Sequence, residues 1–259
     1  MNLDSDFIEI QLRSSVEVGR RMIALSAVAH LVGRPSDDPE VGDDDDDRGD
    51  DQLIDDHAGE RFDWLAWLTQ ELVLDALSPR ERRLLSTTTS PLSNDDLDDQ
   101  GAAGEALGAL AWAVHRSNLT VLDRAYPYLG LLDLVPSPWD DPSPFLSGLT
   151  LRSEPEIAAA RESIEILTWR AQLEIERRHA TGRDVNNIEA AIRDVASEAA
   201  AAGVVPIGDH GDLTIGGESV RSLSDEIVVS MAAAARARLR AMSWLCGLGD
   251  WDDAALIEM

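Results

Sequence analysis

The run SEPEIAAARESIEILTWRAQLEIERR, residues 153–178, carries the strongest structural signal in the chain. Ser153 followed three residues later by Glu156 is a capping box, and Pro155 sits in the first turn, where a missing N–H costs nothing. Ile157, Ala160, Ile164, Leu167, Ala171 and Ile175 then recur at alternating spacings of three and four. That period predicts a helix of about 25 residues with one buried stripe.

The same reading extends toward the C-terminus. A helix over 185–202 carries Ile188, Ile192 and Val195 and stops at Gly203. Next, Gly216-Gly217 separates DLTI from ESV and supplies the positive-φ pair of a tight hairpin turn. Ser222 or Ser224 caps a last helix through Ile227, Met231, Ala235, Met242 and Leu245, ended by Gly247.

Toward the N-terminus, the proline-rich stretch 117–152 admits only short helical turns, and GEALGALAWAVHR predicts a helix over 103–116 after a loop at 87–100. Ser78-Pro79-Arg80-Glu81 is a second capping box, opening a helix at 79–86. Before it, DWLAWLTQELVLDAL places Leu65, Leu68 and Leu72 on one face. A first helix starts at Ser14 or Ser15 and ends near Gly33-Arg34-Pro35. The expected fold is mainly α, a helical globular domain with one small β-hairpin near residues 204–221. Residues 1–35 hold its N-terminal helix, 36–60 are an insertion, and 61–259 are the remainder of the same domain.

The chain has 259 residues, 44% of them hydrophobic, enough for a substantial core. It carries 49 acidic side chains against 22 basic ones, a formal charge of −27, and every basic residue is arginine. Without lysine there is no phosphate-binding loop ending in Gly-Lys-Ser/Thr and no Schiff-base chemistry. Nucleic acid is excluded as a partner because its affinity comes from neutralised phosphates, and a membrane surface because anionic lipid repels an acidic chain. The acidic start MNLDSDFIEI is unlike a signal peptide, and a single cysteine, Cys246, forms no internal disulfide, so the expected location is cytoplasmic. Residues 36–60 hold 13 acids and one arginine, −12 of the total, which predicts a disordered insertion.

Chemistry-bearing motifs are sparse. Asp44, Asp46 and Gly49 match an EF-hand loop, but Arg48 stands where a carboxylate should bind the ion. His30, His57, His115, His179 and His210 lie in separate segments without the HExxH spacing, and His210 reads as a turn residue. Cys246 takes the place of a small buried hydrophobe. No catalytic residue, metal ligand or cofactor is assigned. The candidate ligand-binding residues are Trp169 and Arg170, in the middle of the long helix, with a carboxylate such as Glu105 or Glu174 facing the guanidinium. Structural ion pairing is the competing role for Arg170.

The order of these pieces resembles the domain of unknown function 4272 family. The matching segments are RRMIALSAVAHLV, WLTQELVLDALSPRERRLL, EALGALAWAVHR, LRSEPEIAAARESIEILTWRAQLE, GDLTIGG and RARLRAMSWLCGLGDWDD, spanning about residues 20–253. The most specific are Leu151-Arg152…Glu156-Ile157…Trp169-Arg170 and Trp244-Leu245…Trp251-Asp252. The resemblance implies a fold and a cytoplasmic bacterial or archaeal setting, with no mechanism attached.

Two functions fit. The first is a non-enzymatic module whose acidic face meets a basic protein partner, one form being an antitoxin- or immunity-type protein. The alternative is an enzyme or small-ligand binder with an interhelical Trp/Arg/carboxylate pocket, which requires a cleft where arginine and carboxylate side chains converge.

Overall fold

In the computed structural model the described residues are 10–30, 63–86, 94–120, 122, 124–208 and 211–252. The acidic insertion 36–60, its EF-hand-like run, His57 and His210 lie outside them. The structure is mainly helical with one two-stranded antiparallel hairpin. The chain divides into two compact units, one of residues 15–151 and one of the described residues within 1–14 and 152–259.

In the first unit, α1 (Ser15–His30) is the central element, buried on nearly every side from Val18 to Ala29. It packs against α4 (Asn94–Ala113), α3 (Pro79–Ser86) and the short α5 (Tyr128–Leu132) and α6 (Ser143–Ser147). Gly19 makes the α6 contact possible, since a Cβ there would lie 2.6 Å from Leu149 Cδ1 and 2.7 Å from Leu146 Cδ2. The capping box at Ser78 forms as expected: Ser78 N donates to Glu81 Oε2 at 2.8 Å and Glu81 N to Ser78 Oγ at 3.3 Å. Glu81 also receives Arg21, a buried arginine of α1 whose Nη1 donates to Glu81 Oε2 at 2.7 Å. One carboxylate thus caps α3 and neutralises a charge inside the unit.

The segment 63–77 departs from expectation. Helix α2, over 63–70, buries Trp64, Trp67 and Leu68, while Leu65 is half-buried and Leu72 is 76% exposed. Leu72 adopts φ 57° and ends the helix: its N–H reaches Thr69 O and that of Val73 reaches Leu68 O, a Schellman motif. A 3₁₀ turn, Leu74–Ala76, follows. His115 (φ 61°) ends α4 in the same way, three residues before the expected 116 boundary is reached by regular helix. At its other end α4 begins at Asn94 rather than 103, inside the expected loop. An Asn/Asp-rich sequence reads as loop, yet acidic residues are favoured early in a helix by the macrodipole.

In the second unit, α7 (Glu154–His179) packs along α9 (Asp225–Leu245) and, more lightly, against α8 (Arg183–Ala201). Ile157, Ala160, Ile164 and Ala171 are buried as the period requires. Leu167 is half-buried, against Ala196, Ala199, Val205 and Leu213 of α8 and the hairpin. Helix α9 is buried on more than one side, with Ala232, Ala235 and Ala241 among its buried small residues beside Met231, Met242 and Leu245, whereas Ile227 is 40% exposed and Val228 takes its buried place. Ser224 Oγ accepts from Ile227 N, so Ser224 is the cap. The hairpin pairs β1 (Thr214–Ile215) with β2 (Glu218–Ser219), Thr214 opposite Ser219, through Gly216 and Gly217 at φ 60° and 91°. A second 3₁₀ turn, Val220–Ser222, leads to α9.

The end of α9 is clamped by chain from the beginning of the sequence. Arg13 N donates to Leu245 O, its Nε to Trp244 O at 2.9 Å, and its guanidinium lies 4.7 Å from the Trp244 ring centroid. Cys246 is fully buried, and burial pushes its thiol pKa up to about 11, as befits a packing residue rather than a nucleophile. Among the described residues no helix is long and apolar enough to cross a membrane.

Candidate functional site

Arg170, Glu174 and Arg177 stand at i, i+4 and i+7 of α7, so they share one face of the helix. Arg170 is 1% exposed; its Nε donates to Asp212 Oδ1 at 2.7 Å and its Nη2 to Asp212 Oδ2 at 2.9 Å and to Glu174 Oε2 at 3.1 Å. Glu174, also buried, accepts further from Arg177 at 2.6 and 3.0 Å and from Arg178 at 2.8 Å. Burial alone would raise the Glu174 carboxyl, but the hydrogen bonds from Arg177 and Arg178 and the charge of Arg170 outweigh it and hold the pKa below its ordinary value.

Asp212 ties this face to the hairpin. Besides Arg170 it accepts from Ser219 Oγ at 2.7 Å, Leu213 N at 2.8 Å and Arg221 N at 3.3 Å. Burial pushes this carboxyl up as well, and Arg170, Ser219 and the Leu213 N–H together bring it below the normal range. Gly208 N donates to Asp212 O and Ile207 bridges Leu213, which ties Asp212 and Leu213 to Ile207 and Gly208.

Beside this network lies a cleft of about 560 Å³, lined by Arg170, Arg177, Glu189, Ile192, Arg193, Gly211, Asp212, Ser219, Arg221 and Ser222. Its walls are α7, α8 and the hairpin with its 3₁₀ turn. Four guanidiniums and two carboxylates line the cleft, and Glu174 lies behind Arg170 and Arg177, so the site keeps a small positive surplus in a chain of charge −27. Arg221 Nη2 donates to Glu189 Oε1 at 2.5 Å from an exposed position. Arg193 is exposed and forms no ion pair among the described residues. Arg170 keeps one buried nitrogen, Nη1, without a hydrogen-bond partner there. A buried unpaired donor costs about 1–3 kcal/mol, more on a charged group, which makes its presence at a cleft informative. The lining hydroxyls are engaged: Ser219 Oγ donates to Asp212 and Ser222 Oγ to Ser219 O, so neither is presented as a nucleophile.

Of the three candidate residues read from the sequence, the structure places Arg170 on the cleft. Trp169 is half-buried on α7 outside the lining. Glu105 belongs to the other unit, on α4, where its Oε1 accepts from Tyr126 N at 3.0 Å and holds the loop whose Tyr126 ring packs over Gly108. Glu174, the other carboxylate considered for Arg170, is its partner. The sequence reading missed Asp212, Arg177, Glu189, Arg193 and Arg221. The spacing Arg170, Glu174, Arg177 was a usable signal for the helical wall; the hairpin wall had none, because 42 residues separate Arg170 from Asp212.

A helical unit with an arginine-lined cleft defines the class only broadly. The chain belongs to the family described as Domain of unknown function (DUF4272), whose model matches residues 5–196. The match covers the helical wall of the cleft and ends before the hairpin wall that supplies Asp212, Ser219 and Arg221. No curated protein and no solved structure matches the chain.

Proposed function

We propose that the chain is a small-ligand-binding protein whose site is the cleft between α7, α8 and the hairpin. The carrying observation is the convergence of Arg170, Arg177, Arg193 and Arg221 on one concavity whose floor is already fixed by the Arg170–Asp212–Glu174 network. Pre-organised polar groups in a cleft of this size are the usual build of a ligand site. The engaged serine hydroxyls support binding rather than nucleophilic catalysis.

Docking of a basic protein partner stands second. It draws on the acidic surplus alone, −27 overall, and the cleft presents the opposite sign. The cytoplasmic setting accords with one buried cysteine.

A hydrogen-exchange screen tests the proposal, using a panel of small molecules that are anionic, neutral and cationic. At least one compound is expected to protect residues 211–222 and the middle of α8. No protection by any charge class would sink the reading.

A further inference from the structure

We infer that the cleft takes an oxyanion, a phosphoryl or carboxyl group of a small molecule, and that Glu189 is a built-in competitor that this group displaces from Arg221. The inference deepens the small-ligand reading and depends on it. Three observations carry it. Arg193 at the cleft has no carboxylate of its own among the described residues. Arg170 holds a buried Nη1 with an unmade hydrogen bond. Among the described residues Arg221, 58% exposed, is held at its guanidinium by Glu189 alone, while its backbone N–H is fixed on Asp212.

These groups differ in strength of attachment. Arg170 is locked by Asp212 and Glu174, and Arg177 by Glu174, so neither can turn away. The Arg221–Glu189 pair is exposed, and such pairs are weakly held. A ligand oxyanion offers Arg221 the bidentate acceptor geometry that a guanidinium prefers, with Arg193 close on the same lining to share its charge. Non-specific adsorption of anions is disfavoured by the acidic chain as a whole, so saturable oxyanion binding reports this cleft.

Titration calorimetry of the full chain at low ionic strength tests the inference with inorganic phosphate in one arm and succinate in the other. Arg193→Gln and Arg221→Gln, both at exposed positions, are expected to weaken binding about fivefold each, the effect of one partly screened charge. Glu189→Gln is expected to tighten it by about the same factor, because it frees Arg221. A gain that is lost when Arg221→Gln is present as well marks competition for Arg221, because loss of the Glu189 charge alone would tighten binding in both backgrounds. Binding in one arm alone supports the inference and identifies which oxyanion is preferred. Absence of binding in both arms, or a Glu189→Gln variant that binds less well, overturns it. Protection of the cleft by a neutral or cationic compound, with neither oxyanion binding, removes this inference and leaves the cleft reading standing; no protection by anything removes both.

Discussion

Arg170 and Asp212, 42 positions apart, meet through two parallel hydrogen bonds, Nε to Oδ1 at 2.7 Å and Nη2 to Oδ2 at 2.9 Å. This side-on pair joins the middle of α7 to the hairpin and sets the back of the cleft. Removing one member of a buried pair leaves the other charge uncompensated, which costs about 3–5 kcal/mol. Asp212→Asn retains one acceptor oxygen and leaves Arg170 its second carboxylate, Glu174, so the lower end, about 3 kcal/mol, is expected. A lowered urea midpoint with unchanged slope checks it; a midpoint within error of wild type would show that the pair contributes little.

The same pair has an acid signature. Asp212 and Glu174 are both depressed below their ordinary values of 3.8 and 4.5, so in that range the unfolded chain binds more protons than the folded one. Their contribution to stability is therefore fully present above those ordinary values and disappears as pH falls through the lower folded values. Across neutral pH the urea midpoint should be flat as far as these groups are concerned. In acid, the gap between wild type and Asp212→Asn should narrow, since protonation removes in the wild type what the substitution has already removed. A gap that stays constant from neutral pH into strong acid would contradict the assignment.

Glu81 serves two structures at once, the Ser78 capping box and the buried Arg21. Ser78→Ala loses a cap alone and should cost about 1 kcal/mol. Glu81→Ala loses the return bond of the box and, in addition, the ion pair with the buried Arg21, so it should cost about 3 kcal/mol. Equal losses in the two variants, measured by thermal or urea unfolding, would show that Arg21 does not depend on Glu81.

Local rules made much of this unit-by-unit architecture legible. The boxes at Ser78 and Ser153 and the Gly216-Gly217 turn are each written within a few residues and formed as expected, and of the expected stripe Ile157, Ala160, Ile164 and Ala171 are buried while Leu167 and Ile175 are half-buried. What failed were helix ends without glycine and pairings across long loops. Leu72 and His115 occupy positive-φ positions that glycine normally marks, so DWLAWLTQELVLDAL reads as one helix although it breaks at Leu72. The cleft was half legible for the same reason. Arg170 and its i+4 and i+7 neighbours follow from helical geometry, whereas Asp212 and Arg221 reach them only through the tertiary placement of the hairpin.

Cys246 gives a probe of opening that needs no substitution. Its side chain is fully buried and its thiol is raised to about 11, so near pH 8 both access and thiolate fraction suppress alkylation. Labelling should follow unfolding, slow in buffer and complete in denaturant, with the rate in buffer set by local or global opening. Rapid stoichiometric labelling of the folded protein would contradict the burial of the end of α9.

Helix ends supply a pair of substitutions with opposite expected signs. Leu72 holds φ 57° with its side chain 76% exposed, so it accepts left-handed strain without a packing return. A side chain in that conformation costs roughly 1–2 kcal/mol, of which the added flexibility of glycine in the unfolded chain takes back about 0.5–1. Leu72→Gly is therefore expected to raise stability slightly, by about 0.5 kcal/mol. Gly247 holds φ 73° at the corresponding position after α9, but there a Cβ would meet Gln11 O at 2.6 Å, a backbone atom already set by the pairing of Gln11 N with Cys246 O. Gly247→Ala must bear the backbone strain and a clash that no side-chain rotation relieves, and it should lose about 2 kcal/mol or more. Urea midpoints of the two variants against wild type decide the matter: a loss at Leu72→Gly, or neutrality at Gly247→Ala, would show that the two helix ends are not held in the way their geometry describes.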